Sequence, residues 1–503
     1  MAKKIGVLII ALLVLSMGFT EAGQEKGNPD TFRSELEKKG FIVQEGKMDF
    51  PDLASWCCQC QLPTCYAYNP SSPYGLGILP PAPDQDPLNP YSEWFYEDAH
   101  YPEGWSPFWR QRADEAVVFI GTTPPKMDYF GFTGYLYDRH RAHITLPDCI
   151  TSSGSTRVSP DSVKNRFPLF ASLGDTINNM VVNVMGNKKD PFNKTVVFIM
   201  VTDQNIEREI RKTLKKAGYP DRLINTIVVS PSIARLGDES ESDTLAFVLR
   251  MATDRSQLKD YMDSSMKLFR VSPAQRVPPS AIEPLPSPKL RVRGTGETEI
   301  GLLPAMDKLG EAIVASYPEY DAVKISTVNW YEGYNCIENG QNCLGDNRDT
   351  PYIPPAFNPL TATLLQDMIL RPDEFFVAYG VNHEKAGKAT YSNVSVMGWR
   401  HKSSPVLLRN DDMPGSAQYY IGSSIDPATA EKLYAWKVAR PGGCKAGDTP
   451  HCQVVGYDCQ DGVAADDPMA LVFRAYLEPK TRAGAAYGEI IIDRIIKFTP
   501  KKP

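Results

Sequence analysis

The stretch DTLAFVLR, residues 243–250, returns as DPMALVFR at residues 467–474. Asp, Ala, Val and Arg recur at the same places, and the other positions mostly exchange one apolar residue for another. A short apolar run bounded by polar residues reads as a buried strand. The flanks extend the match. DEAVVFIG at 114–121 resembles DEFFVAYG at 373–380, and each precedes a second strand-like run, YFGFTGYLY at 129–137 and ATYSNVSVM at 389–397. QYYIGSSIDPATAEKLYAWKV at 418–438 reads as a strand leading through Asp426 into a helix, which places Asp426 opposite Asp203. The recurring order predicts a duplicated module.

Around the first copy the elements can be read one by one. KTVVFIMV (194–201) is a strand, Asp203 a helix N-cap, and QNIEREIRKTLKKA (204–217) a helix whose Ile206, Ile210 and Leu214 recur at helical spacing until Gly218. Strands then follow at INTIVVS (224–230), TLAFVLRM (244–251) and KLFRVS (267–272), with a helix around 256–262. That β-α-β-β-α-β order predicts a ferredoxin-like arrangement, helices on one face of an antiparallel sheet. The fold class expected is therefore α+β: two related modules, 113–273 and 296–503, with mostly antiparallel sheets. A Pro-rich linker, 274–295, joins them. An irregular, disulfide-stapled arm rich in Cys, Pro and aromatic residues, 23–112, precedes them.

Compartment comes from the start of the chain. Lys3 and Lys4, the apolar run Ile5 to Phe19 and the exit Thr20-Glu21-Ala22 read as a signal peptide, 1–22, sending the protein to a secreted or periplasmic location. No later stretch has the ~20 apolar residues of a spanning helix, so no membrane span is expected. Ten cysteines in an exported chain predict disulfides, with Cys336 paired to Cys343 and Cys444 to Cys452 across short polar loops. A formal net charge of −6 over 503 residues offers no basic footprint for nucleic acid.

Candidate sites are sparse. Asp138, His140 and His143 in LYDRHRAH combine a carboxylate with two imidazoles, a donor set that suits Zn(II). His140 and His383 are the candidate catalytic bases, His383 with Tyr391 or Ser392 nearby in sequence. Asp346, Asn347 and Asp349 in GDNRDT crowd hard oxygen donors that suit Ca(II). Trp94, Trp105 and Trp109 could present flat faces to a sugar ring or a partner protein. Nucleophile-elbow, zincin, P-loop and dinucleotide fingerprints are missing. The cofactor is left unassigned, with Ca(II) or Zn(II) the ions to test. The expected function is an exported binding protein holding a small molecule, glycan or protein in a crevice between the modules. The alternatives are an extracytoplasmic hydrolase or metal-dependent oxidoreductase, and a structural envelope or extracellular assembly protein.

Overall fold

The run TVVFIMV folds as its composition dictates: Thr195–Val201 is a strand, buried from Val196 onward. Asp203 caps the helix Gln204–Lys216 by accepting from the Asn205 amide at 3.1 Å, and Ile206, Ile210 and Leu214 are buried along one side of it. The chain returns as Ile224–Val228, parallel to Thr195–Val201. Thr244–Met251, the helical turns Arg255–Leu258 and Lys259–Met262, and Lys267–Pro273 complete the expected β-α-β-β-α-β order. The computed structural model describes residues 27–502, apart from short stretches at 63, 67, 70–72, 99–100, 145, 147, 151–154, 187–188, 254, 359–360, 362, 401 and 446–450. The expected signal peptide lies outside the described residues.

The sheet itself departs from the ferredoxin-like expectation. Its order is Ile224–Val228, Thr195–Val201, Ala116–Thr122, Lys267–Pro273, Phe41–Asp49, Tyr74–Ile78, Thr244–Met251, Phe130–His140 and Arg166–Ser172, with Ile177–Asn178 also on Phe130–His140. In a split βαβ another strand separates the two strands flanking the first helix; here those strands hydrogen-bond directly at the sheet edge. The expected irregular arm is corrected too. Pro29–Glu37 is a helix capped by Asn28, and Phe41–Asp49 and Tyr74–Ile78 occupy the middle of the sheet. Phe41–Asp49 escapes a sequence reading because its burial is mixed and Gly46 interrupts it. Phe119, Phe132, Phe198 and Phe247 pack on one face with ring centroids 4.3 to 6.1 Å apart. The helix Gln204–Lys216 covers the other face through Ile206, Ile210 and Leu214.

The C-terminal half contains a five-stranded sheet, ordered Tyr320–Ile325, Arg494–Pro500, Phe375–Val381, Leu433–Ala439, Cys452–Val454. A four-stranded sheet, Tyr352–Ile353, Met469–Tyr476, Tyr391–Gly398, Val406–Arg409, packs against it. The fold is α+β and mostly sheet, 31% strand to 19% helix. The reading of 418–438 is reversed. Asp426 does cap a helix, but that helix is the single turn Pro427–Ala430, and the strand comes after it as LYAWKVA, Leu433–Ala439. Pro427 starts the turn, and the apolar run beyond it suits a buried strand better than a helix.

All ten cysteines are paired: Cys57 with Cys65, Cys58 with Cys459, Cys60 with Cys149, Cys336 with Cys343 and Cys444 with Cys452. The Cys58–Cys459 bridge ties the N-terminal segment to the C-terminal half. The Pro-rich stretch is pinned to the N-terminal half: Leu285 N donates to Thr202 O at 2.8 Å, and Arg291 N to Asp175. Among the described residues no helix is long and apolar enough to cross a membrane.

Candidate functional site

The two halves meet at the tetrapeptide DNRD, 346–349, and this junction places one predicted site. Asp346 is buried and accepts from Ser172 N (2.7 Å), Ser172 Oγ (2.7 Å) and Gly333 N (2.8 Å). Asn347 accepts from Thr176 Oγ1 at 2.8 Å and donates to the Tyr129 hydroxyl at 2.5 Å. Asp349 accepts from Asn178 Nδ2 (2.8 Å), Tyr129 OH (3.1 Å) and Arg291 NH2 (3.0 Å). Burial pushes both carboxyls up to about 6, against the pull of Ser172 on Asp346 and Arg291 on Asp349. The oxygens expected to hold Ca(II) are thus occupied by protein donors, most of them from the other half, with Gly333 from the same half and Arg291 from the linker. They form a buried polar latch.

The second predicted donor set is not assembled. Asp138 is fully buried and accepts from Arg166 Nε (3.0 Å), Arg166 NH2 and Thr244 Oγ1 (2.7 Å). His140 sits half-buried at the end of its strand, and His143 is exposed in a turn with φ of 66°. Among the described residues, no group of three or more His, Cys, Asp and Glu side chains is placed to hold a metal ion.

His383 is part of a buried cluster with two carboxylates. Its Nδ1 lies 2.9 Å from Glu299 Oε1 and its Nε2 lies 3.5 Å from Asp493 Oδ2, all three side chains being at most 4% exposed. Asp493 also accepts from Tyr434 OH at 2.7 Å, and Glu299 from Ile491 N at 2.8 Å. Burial alone would depress the imidazole, yet the Glu299 and Asp493 carboxylates outweigh it and hold the group at about 10. At neutral pH it is a cation with no lone pair to act as a base. Tyr391 and Ser392 are not among its hydrogen-bond partners.

The tryptophan segment packs inward. Trp109 has no exposure, and its main chain pairs with Leu245. Trp94 is 5% exposed against Tyr91, and Trp105 packs half-buried on the same aromatic cluster. None of the three lines the aromatic cleft that joins the halves.

That cleft lies where the N-terminal segment and both halves converge, and its cavity volume is about 90 Å³. Twenty-two residues line it, nine of them aromatic. Tyr66, Tyr68 and Tyr74 come from the N-terminal segment, Val248 and Arg250 from one sheet, Val472, Arg474 and Tyr476 from the other, and Trp399 from the turn after Tyr391–Gly398. Among the described residues, two buried donors on its walls have no hydrogen-bond partner, Arg250 Nε and Trp330 Nε1. Arg250 and Arg474 are the closing residues of the two matched octapeptides. Each sits opposite a tyrosine across its strand pair, Arg250 opposite Tyr74 and Arg474 opposite Tyr352. Each guanidinium lies over that ring, at 5.7 and 5.5 Å from the centroid. Sequence reasoning passed over these residues, although a charge ending an otherwise apolar strand, twice at one register, was the available signal. Gly345 closes the wall at φ of +69°, where a Cβ would come within 2.7 Å of the Phe170 ring.

No protein-family model matches the chain, and no curated protein matches its sequence. In structure it is similar to an uncharacterized protein from Burkholderia cenocepacia, 11% identical with a TM-score of 0.33, covering 85% of this chain and 77% of that one. It is similar to a protein from Vibrio parahaemolyticus at 10% identity and a TM-score of 0.33, covering 86% of this chain and 90% of that one. Likeness at that level carries no further argument.

Proposed function

We propose that the protein is an exported binding protein whose ligand, a small molecule, sits in the cleft between two halves descended from one module. The observation that carries the reading is the cleft itself: a largely apolar, aromatic hollow with two buried donors left without hydrogen-bond partners. Natural ligand sites have that composition, mostly apolar and aromatic walls with a few convergent polar groups. Export is supported by the pairing of all ten cysteines, which suits an oxidising compartment.

The duplication is supported by shared partners. Ala116–Thr122 and Phe375–Val381 each lie antiparallel between two strands, Lys267–Pro273 and Thr195–Val201 in one case, Arg494–Pro500 and Leu433–Ala439 in the other. Thr195–Val201 and Leu433–Ala439 each carry a parallel edge strand. Phe130–His140 and Tyr391–Gly398 each pair with the octapeptide strand and, on the other side, with a following strand, Phe130–His140 carrying Ile177–Asn178 as well. Phe41–Asp49 and Tyr320–Ile325 each follow a helix and flank the last strand of their half. The halves differ where Phe41–Asp49 pairs with Tyr74–Ile78 and closes a single sheet, a contact that Tyr320–Ile325 and Tyr352–Ile353 do not make.

The test is a thermal-shift screen of small molecules against the oxidised protein and the variant Leu53→Trp, which sets a large ring on a half-buried part of the cleft wall. Ligands that stabilise the parent should fail on the variant. Stabilisation of both alike, or by no compound, would refute the reading.

A further inference from the structure

We propose that the cleft takes an acidic aromatic molecule, a flat ring system bearing one carboxylate or sulfonate, with its anionic end on Arg250. This rests on the cleft being a binding site and goes further by naming the chemistry of what is bound.

Arg250 is the starting point because its surroundings do not account for its charge. It is 7% exposed. Its NH1 donates to the Tyr352 hydroxyl at 3.0 Å and its NH2 to the Gly345 carbonyl, while Nε donates to nothing. Its remaining company is the faces of Tyr74 and Tyr135, 5.7 and 5.6 Å away. Among the described residues it has no carboxylate partner. Arg110 is comparable, donating only to the Pro87 and Leu88 carbonyls, but it lies off the cleft, and three other buried arginines are better supplied. Arg166 holds Asp138, Arg270 holds Glu115, and Arg440 donates to four main-chain carbonyls. Burying a cation costs several kcal/mol unless an anion or a full set of acceptors offsets it. Arg250 has one hydroxyl, one carbonyl and an unused N–H, so an anion entering the cleft would meet a guanidinium already dehydrated and oriented.

Arg474 stands at the equivalent register of the other half and lines the same cleft. It donates to Ser395 Oγ at 2.5 Å, and its charge adds to the positive potential of the hollow. The walls decide the rest of the ligand. Rings from the N-terminal segment, from the Tyr352 strand and from Trp330 and Trp399 offer flat apolar faces, which favour a planar body by stacking. The Trp330 indole N–H provides a further donor for an acceptor on that body. A basic ligand would meet two cations and gain nothing from that donor.

The probe pair is 2-naphthoate and its neutral counterpart 2-naphthylmethanol, titrated by tryptophan fluorescence into the oxidised protein, Arg250→Gln and Arg250→Lys. The parent should bind the acid about tenfold more tightly than the alcohol, the increment of a charge-assisted hydrogen bond. Arg250→Gln should erase that preference, and Arg250→Lys should keep part of it. The comparison of acid with alcohol on the parent stands even if a variant fails to fold. Equal binding of acid and alcohol would overturn the anion assignment and leave the cleft as a site for neutral ligands. So would a preference for the acid that survives Arg250→Gln. Absence of binding by either probe would overturn it as well, while the screen against Leu53→Trp judges the cleft separately.

Discussion

Replacing His383 with Gln should change how stability depends on pH, and the size of the change follows from its two carboxylates. The imidazole, held at about 10 against an ordinary 6.5, binds its proton more tightly in the folded chain than in the unfolded one. The stability this supplies is complete below about pH 6.5 and is lost as the pH rises through about 10. Within that window one extra proton on the folded state corresponds to ~1.4 kcal/mol per pH unit, or about 2 to 3 kcal/mol between pH 7 and 9. Gln in its place can donate to one carboxylate but brings no charge, leaving Glu299 and Asp493 buried without a shared cation. Loss of a buried partner costs about 3–5 kcal/mol. Urea unfolding followed by tryptophan fluorescence at pH 7, 8 and 9 measures both quantities, and the absence of free cysteine keeps thiol titration out of the window. Parent and variant should differ most at pH 7 and converge toward pH 9. A gap that is constant with pH, or that widens, would refute the buried imidazolium.

Asp349→Ala strips acceptors from Arg291, Asn178 and Tyr129 at once, and should cost about 3–5 kcal/mol in urea unfolding, whereas Asp349→Asn should cost less. Chelator should leave the melting temperature of the parent unchanged, because the oxygens at 346–349 are held by protein donors. Cys58→Ser with Cys459→Ser should lower stability by about 2–4 kcal/mol and speed proteolysis of the N-terminal segment. Trp109→Ala should destabilise by about 3–5 kcal/mol yet leave ligand affinity at the surviving fold unchanged, since the ring is core and lies off the cleft.

The legible parts of the fold were those written in local pattern. TVVFIMV, the Ile206–Ile210–Leu214 stripe and the matched octapeptides each state their element within a few residues, and the structure places a strand or helix at each. The Cys336–Cys343 and Cys444–Cys452 bridges were legible because their partners are only 7 and 8 residues apart in sequence. What stayed hidden depended on contacts far apart in the chain. Nothing local in FIVQEGKMD announces a central strand, because its place is fixed by pairing with Lys267–Pro273 and Tyr74–Ile78. Asp346 and Asp349 look like cation ligands until Ser172 and Asn178, more than 170 residues away, are seen to occupy them. A crevice between the modules was expected, but the residues that line it escaped for the same reason. Its arginines end two strands that local pattern marks as plain core, and only the meeting of the two halves brings them to one hollow.

The most direct measurement of the central claim is calorimetric titration of 2-naphthoate into the oxidised parent and into Leu53→Trp. A binding site between the halves predicts one site per chain in the parent and none in the variant. Binding that persists unchanged in Leu53→Trp, or that needs several equivalents per chain, would contradict it.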